Sequence, residues 1–425
     1  MPSDQTGNSV DASATDNSQH VAAIAPDVGD IEEGRDAYHP GGLHPVYISD
    51  VFADKYEVLK KIGYGRHSTV WLVKDRSKPT DDEQHFMALK ILSADSYNSD
   101  QPVFEREILT HLRATANSKK ILGRKYVCHL VDDFEHQGPN GTHVCLLFEL
   151  MGETLRSFGA GFPEDMVPTP IMRKFTFQLI CALDFAHESG VIHTDIKPDN
   201  IFVKFRDRSQ IASYLADYPA PGQDRNEARY TPIESHHFKG YYLGSEPWTL
   251  AKFMELDIAL GDWGVSSWAD KHPTENIQPV ALRAPEVLIK APWDKSADWW
   301  NLGAVVYEVY RAIRLFSGEA PPDGHYELKE HLAEIVDVFG PFPKELLDKG
   351  DPDIVREMFD DEGKIKDSEP FGRQPLESEV FLPGLDQEVR ESFGSLLRGM
   401  MNLNPAERPT AEDLVKHPWI GVKLS

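Results

Sequence analysis

The sequence predicts an α+β fold of two lobes, the first rich in strands and the second helical. Three observations carry this expectation. Between Lys55 and Leu150 the apolar residues come in short runs divided by Gly, Pro and Asn, the punctuation of antiparallel strands. From Pro170 to Ser189 the apolar positions Ile171, Phe175, Leu179, Ile180, Leu183 and Ala186 recur at helical spacing instead. The length, 425 residues, is enough for one large core shared by a single two-lobed unit.

Residues 1 to 38 are rich in Asp, Ser, Thr, Asn, Gly and Ala, poor in aromatics and without a sustained period, which predicts a disordered polar tail. At Tyr38 the composition changes. The run Y-H-P-G-G-L-H-P-V-Y-I-S-D-V-F carries aromatic and aliphatic groups that are costly to leave in water, so it is expected to pack on the first lobe, residues 39–151. Lys55 to Val73 then reads as strand, turn, strand, with Gly63 and Gly65 between alternating apolar runs. A hairpin that closes over a nucleotide needs glycine there, because a side chain would hold the backbone away from the phosphates. Taken alone the two glycines fit any plain hairpin equally well.

Phe86 to Leu92 is the next strand, and it holds one cation, Lys90, in an apolar run. Its counter-charge is expected on the helix that follows. Glu105 has Ile108, Leu109 and Leu112 at i+3, i+4 and i+7, which sets it beside the core-facing stripe and favours it over Glu107, the alternative. Strands over His129–His136 and His143–Leu150 are joined by the turn Gly138-Pro139-Asn140-Gly141. The helix Pro170–Ser189 then delivers the chain to V-I-H-T-D-I-K-P-D-N-I-F-V, residues Val191 to Val203.

In that stretch two apolar strand-like runs bracket a loop that holds Asp195, Lys197 and Asn200 at fixed spacing, stiffened by Pro198. A carboxylate, an ammonium and a carboxamide held together suit transfer of a phosphoryl group to a hydroxyl. The first can take the hydroxyl proton, the second can neutralise the moving phosphoryl, and the third offers a hard oxygen to magnesium. A surface loop with ordinary polar residues is the plainer reading of such a pattern by itself.

The net charge of −25 argues against a nucleic-acid groove, which needs clustered Lys and Arg, and it favours basic partners. Cys128, Cys145 and Cys181 are far apart in apolar contexts, lack metal-ligand spacing and read as buried thiols of a reducing compartment. No apolar run approaches a bilayer span, so no membrane association is expected. Asn140-Gly141-Thr142 matches a glycosylation acceptor and is read as a turn.

The loop Val191–Val203 resembles the catalytic loop of eukaryotic protein kinases, and the rest of the chain follows that family's motif order. Gly261-Asp262-Trp263-Gly264 is similar to the D-F-G triplet, and Ala284-Pro285-Glu286 to the A-P-E triplet. The resemblance implies the two-lobed protein-kinase fold, with a small β-rich N-lobe and a larger helical C-lobe over 152–425, and it implies ATP and Mg2+. It makes Asp195 and Lys197 the catalytic pair, and Asn200 and Asp262 the metal ligands. Ile62, Gly63, Gly65, Val70 and Ala88 would line the nucleotide site, and Lys90 paired with Glu105 would hold the phosphates. Backbone groups of Glu149 and Met151 would meet the adenine edge, and Phe148 would wall the back of the pocket or simply fill the core. Glu286 is expected to pair with Arg408, and Asp298 to bond back to the catalytic-loop backbone. The pattern has three departures: Ser68 replaces a third glycine, Trp263 replaces Phe, and Thr194 stands where many kinases carry an Arg that reads an activation-loop phosphate.

From Asn200 to Asp262 the chain is much longer than the kinase pattern needs, which marks a polar insert over about 206–253. With the opening Y-H-P-G-G-L-H-P-V-Y-I-S-D-V-F, the H-T-D-I-K-P-D-N loop and the segment His331–Lys344, this is similar to the SR-protein kinase family, SRPK-like members of the CMGC group. That resemblance implies a monomeric serine/threonine kinase of Arg-Ser-rich splicing proteins, cytoplasmic and nuclear, active without activation-loop phosphorylation. Asp351, Asp353, Glu357, Asp360, Asp361, Glu362, Asp367 and Glu369 fall where such a family docks Arg-rich peptides, although a charge run is also what a solvated face looks like. Two alternatives stay open: a catalytically silent scaffold and a Pro-directed CMGC kinase.

Overall fold

The computed structural model describes residues 32–97, 103–118, 122–227, 229–244, 249–320, 323–368 and 374–421. Its N-lobe is a six-stranded antiparallel sheet of β1 (Val51–Phe52), β2 (Tyr56–Gly65), β3 (Ser68–Asp75), β4 (Phe86–Leu92), β5 (Leu130–Gly138) and β6 (Gly141–Glu149). The spatial order is β1-β2-β3-β4-β6-β5. The expected turn after β5 closes on Pro139 and Asn140, so the hairpin is longer than the apolar runs alone indicate.

Because side chains alternate across a strand, the sheet has two faces, and both are buried. Leu72, Leu92 and Leu146 turn inward to join Ile108, Leu109 and Leu112 of α1 (Glu105–Ser118). Val58, Trp71, Val73, Met87, Leu89, Ile91, Cys145 and Leu147 turn outward, where a sheet would ordinarily meet water. Here Val46 and Phe52 of the lead-in cover them, together with Ile233 from the insert. Each such side chain removed from water is worth roughly 1.5–3 kcal/mol, which is why the lead-in and the insert are held. Gly41 in the lead-in has φ +88°, and a Cβ there would stand 2.3 Å from the Asp95 carboxylate, so only glycine lets this segment lie down.

Residues 1–31 of the predicted tail fall outside the described residues, and the remainder is not tail. Glu32 and Glu33 are buried against Lys61, with Glu32 Oε2 3.0 Å from Nζ, and Arg35–Ala37 forms a turn of 3-10 helix. Two carboxylates in a polar run give no sequence sign of a cation in a strand so much later.

The chain leaves the sheet through β7 (Met151–Thr154) and α2 (Leu155–Gly159) into the C-lobe. There α3 (Thr169–Glu188), close to the predicted Pro170–Ser189, and α7 (Ser296–Arg311) are buried nearly all round, as central helices of a large core must be. Between them lie β8 (Val191–Ile192), β9 (Ile201–Lys204), the insert with α4 (Ile211–Asp217) and α5 (Leu250–Phe253), β10 (Ile258–Leu260), β11 (Ser267–Trp268) and α6 (Pro285–Leu288). Pairing of β9 with β10 and of β8 with β11 fixes both ends of the polar loop Asp195–Asn200 against the D-W-G turn. The three cysteines are free and buried. Among the described residues no helix is long and apolar enough to cross a membrane.

Candidate active site

Lys90 faces the cleft between the lobes because β4 pairs it with Val70 on one side and Leu146 on the other. Its Nζ donates to Glu105 Oε1 at 2.7 Å, to Glu105 Oε2 at 3.0 Å and to Asp262 Oδ1 at 3.1 Å. Glu107 points away from the core, where Tyr97 donates to it at 3.4 Å. Burial opposes the charge on Lys90, but the Glu105 and Asp262 carboxylates outweigh it and hold the amine above its ordinary value. Lys90 in turn pulls Asp262 below the usual carboxylate range against the effect of burial. Glu105 is raised, because its complete burial outweighs the cation beside it.

On the opposite wall, Asp195 Oδ2 accepts from Lys197 Nζ at 2.7 Å and from Asn200 Nδ2 at 2.8 Å, and Asn200 Nδ2 also reaches the Asp195 carbonyl at 2.9 Å. These bonds use the amide nitrogen of Asn200, so its oxygen is the end left for a cation. The loop is held from behind. Asp298, fully buried at the start of α7, accepts from the backbone N–H of His193 at 2.9 Å and of Thr194 at 3.0 Å, and it bonds His187 at 2.9 Å. Burial would raise its pKa, but the His187 bond and charge and the loop N–H groups outweigh burial and hold it down. Three residues on, Asn301 Oδ1 accepts from Ile196 N–H at 3.0 Å and its amide donates to the Ile196 carbonyl at 2.8 Å. Sequence reasoning named Asp298 and missed Asn301, although i, i+3 spacing on one helix face was the available signal.

Thr194 sits at φ +65° and donates to the Val265 carbonyl at 2.8 Å, so a neutral hydroxyl latches the loop to the activation segment. Asp262 is also strained, at φ +57°. Trp263 is fully buried edge-on to His193, whose ring bonds the Gly261 carbonyl at 3.0 Å, so the larger ring is accommodated beside the loop. Glu286 and Arg408 form the expected buried pair, at 2.6 and 2.8 Å.

A cavity of about 380 Å3 lies between these walls. Ile62, Gly63, Gly65, Ser68, Val70, Ala88, Lys90, Glu105, Phe148, Glu149, Met151, Asn200 and Asp262 all line it. Phe148 also packs on the core, so both readings of it hold. Asp195 and Lys197 do not line the cavity itself and reach it through Asn200. His237 and Phe238, which come from the insert and carry no motif, also line the cleft.

An apolar sleeve with a lysine and two strained or restrained oxygen donors at its inner end fits a nucleoside triphosphate and one hard cation, because Mg2+ takes one or two protein oxygens and completes its shell with phosphate and water. The sequence profile described as Protein kinase domain matches residues 56–231 and 250–420. The chain belongs to the protein kinase family. Among relatives, this kinase is 31% identical to a serine/threonine protein kinase of Aspergillus fumigatus, over 92% of this chain and 90% of that one. It is 29% identical to the serine/threonine-protein kinase SRPK of Physarum polycephalum, over 93% of each. It is 24% identical to human SRSF protein kinase 3, over 92% of this chain and 91% of that one. It is an SRPK-like serine/threonine kinase.

The acidic segment of this kinase is partly committed to its own structure. Asp351 caps the helix Pro352–Met358, accepting from Asp353 N–H at 2.9 Å; Asp353 pairs with Arg356, Glu362 with Lys364, and Asp360 closes a turn. Glu357, Asp361 and Asp367 are exposed with no ion pair among the described residues, and Glu369 lies outside them.

Proposed function

We propose that this kinase transfers the γ-phosphate of MgATP to serines in Arg-Ser-rich proteins. Bound MgATP supplies the phosphoryl group and a cation that offsets its charge. Lys90, steadied by Glu105, binds the phosphates, and Asp262 and Asn200 hold the cation. Asp195 orients the substrate hydroxyl and accepts its proton, and Lys197 neutralises charge on the group in transit. The observation that carries this reading is the single Lys90 Nζ bridging Glu105 and Asp262 across the cleft from the Asp195–Asn200 pair. The substrate class is supported by the printed name of the human relative, by the charge of −25 and by the exposed Glu357, Asp361 and Asp367.

One observation favours a Pro-directed reading. Gln278 N–H donates to the Thr194 carbonyl at 2.9 Å, which sets this part of the segment beside Asp195. Two residues on, Val280 is 40% exposed, whereas Arg283 is tied to the Ile277 and Gln278 carbonyls. An exposed apolar side chain two residues from a contact with the catalytic loop is what a site for the proline after the serine would need.

A peptide panel separates the two. Purified kinase is expected to phosphorylate Arg-Ser repeats with a kcat/KM at least about tenfold above Ser-Pro peptides, a difference of ~1.4 kcal/mol in transition-state binding. Preference for Ser-Pro would overturn the substrate assignment, and no transfer to any peptide would favour the scaffold.

A further inference from the structure

The insert does more than fill a gap in the family pattern. The family profile stops at residue 231 and resumes at 250, and the residues between include the ones that reach the nucleotide cleft. After β9 the chain buries Tyr214 among Tyr218, Phe238 and Tyr241 of the insert itself, crosses to the outer face of the N-lobe, and comes back past the mouth of the cleft. On the N-lobe, Lys60 Nζ donates to the Tyr218 carbonyl at 2.9 Å, Ile48 N–H to Gln223 Oε1 at 2.8 Å, and Lys61 Nζ to the Ile233 carbonyl at 3.1 Å.

The return leg is fixed first to the roof and then to the floor of the cleft. His236 N–H donates to the Lys61 carbonyl of β2 at 3.2 Å, and its own carbonyl is held from within the insert by the Tyr214 hydroxyl of α4 at 2.6 Å. Lys61 immediately precedes Ile62 and Gly63 in the roof over the nucleotide. A few residues on, buried Tyr242 donates to Glu153 Oε1 at 2.6 Å, and its ring lies so close that a Cβ on Gly152 would be 2.6 Å from it. Gly152 and Glu153 are the floor of the same cleft. Between these two clamps the exposed His237 and the buried Phe238 form a side wall.

We propose that the segment His236–Tyr242 is part of the nucleotide site: it walls the outer edge of the cleft and ties roof to floor, so it sets how fast nucleotide leaves. The inference rests on the reading of the cleft as a nucleotide site. An insert packed for stability alone would need the N-lobe contacts of Gln223 and Ile233 but would have no reason to place an exposed histidine in the cleft lining that Ile62 and Glu153 share.

The test uses the full chain, Mg2+ and a fluorescent methylanthraniloyl-ADP in stopped flow. His237→Ala removes the exposed wall and leaves the backbone clasp. Tyr214→Phe removes the hydroxyl that holds the His236 carbonyl. Each is expected to speed ADP dissociation by about fivefold and to weaken equilibrium binding in proportion, because such contacts act mainly on dissociation. The KM for peptide should stay as in the wild type. Dissociation rates within error of wild type for His237→Ala overturn the proposal, and because that side chain is exposed, the variant decides the question even if Tyr214→Phe folds poorly. Wild-type protein that fails to bind the probe overturns the nucleotide reading as well, and so distinguishes the two failures.

Discussion

At the scale of single residues the site depends on a few charges placed where water is scarce. Lys90→Met leaves Glu105 buried without its cation and Asp262 without the charge that holds it ionised, so phosphoryl transfer should fall by about 10²-fold or more, read from steady-state kinetics. Asp195→Asn should lower kcat by a similar ~10²- to 10⁴-fold while leaving nucleotide affinity within error, since Asp195 does not line the cavity. Titration belongs to this scale too. His44 is buried between the rings of His136, His143 and Phe52, its Nδ1 without a partner among the described residues, and burial first, then the neighbouring histidines, push its pKa down to about 3. A histidine depressed in the fold binds its proton more readily when unfolded. Its contribution to stability is therefore full above pH 6.5 and is lost progressively as pH falls toward 3. Thermal unfolding between pH 7 and 4 should show this decline, and His44→Phe should flatten it by an amount on the order of 1–3 kcal/mol at the acid end.

At the scale of elements the decisive packing is helix against loop. Asp298 and Asn301, one turn apart on α7, between them take three backbone N–H groups of the catalytic loop and give one N–H to it. The Glu286–Arg408 pair, both side chains fully buried, locks α6 onto the chain just after the 3-10 turn Pro405–Glu407. Arg408→Met should cost about 3–5 kcal/mol in denaturant unfolding, because it strands Glu286 without a counter-charge; a loss below about 1 kcal/mol would show that the pair is solvated after all. Elements of this kind were legible in the sequence. Strand alternation around Lys90, the helical period of Pro170–Ser189 and the choice of Glu105 over Glu107 each rest on contacts within a few residues. Asn301 and His237 were not legible, because the first shows its meaning only against a loop 105 residues earlier and the second only against strand β2. The same holds for Glu32 and Glu33, whose role depends on a lysine 28 or 29 residues away.

At the scale of the whole molecule, charge and connectivity govern. With a net charge of −25 and exposed carboxylates at Glu357, Asp361 and Asp367, encounter with an Arg-rich peptide should be steered electrostatically. Raising ionic strength from 0.05 to 0.5 M should increase KM for an Arg-Ser peptide several-fold, by roughly the factor expected when the Debye length falls from about 14 to 4 Å. Reversing the three carboxylates to Lys should remove most of that salt dependence, and a triple variant that keeps it would show that the segment is only a solvated face.

The covering of the outer sheet face has a consequence for how the protein comes into being. Ile48 waits for Gln223, 175 positions later, and Lys61 for Ile233, 172 positions later. On the ribosome, then, the outer sheet face of Val58, Trp71 and Val73 has only Val46 and Phe52 of the lead-in to cover it until Ile233 arrives, well after the catalytic loop has been made. In the full chain, Ile233→Ser should therefore raise hydrophobic-dye binding during refolding relative to wild type, and unchanged dye binding would show that the lead-in alone covers this face.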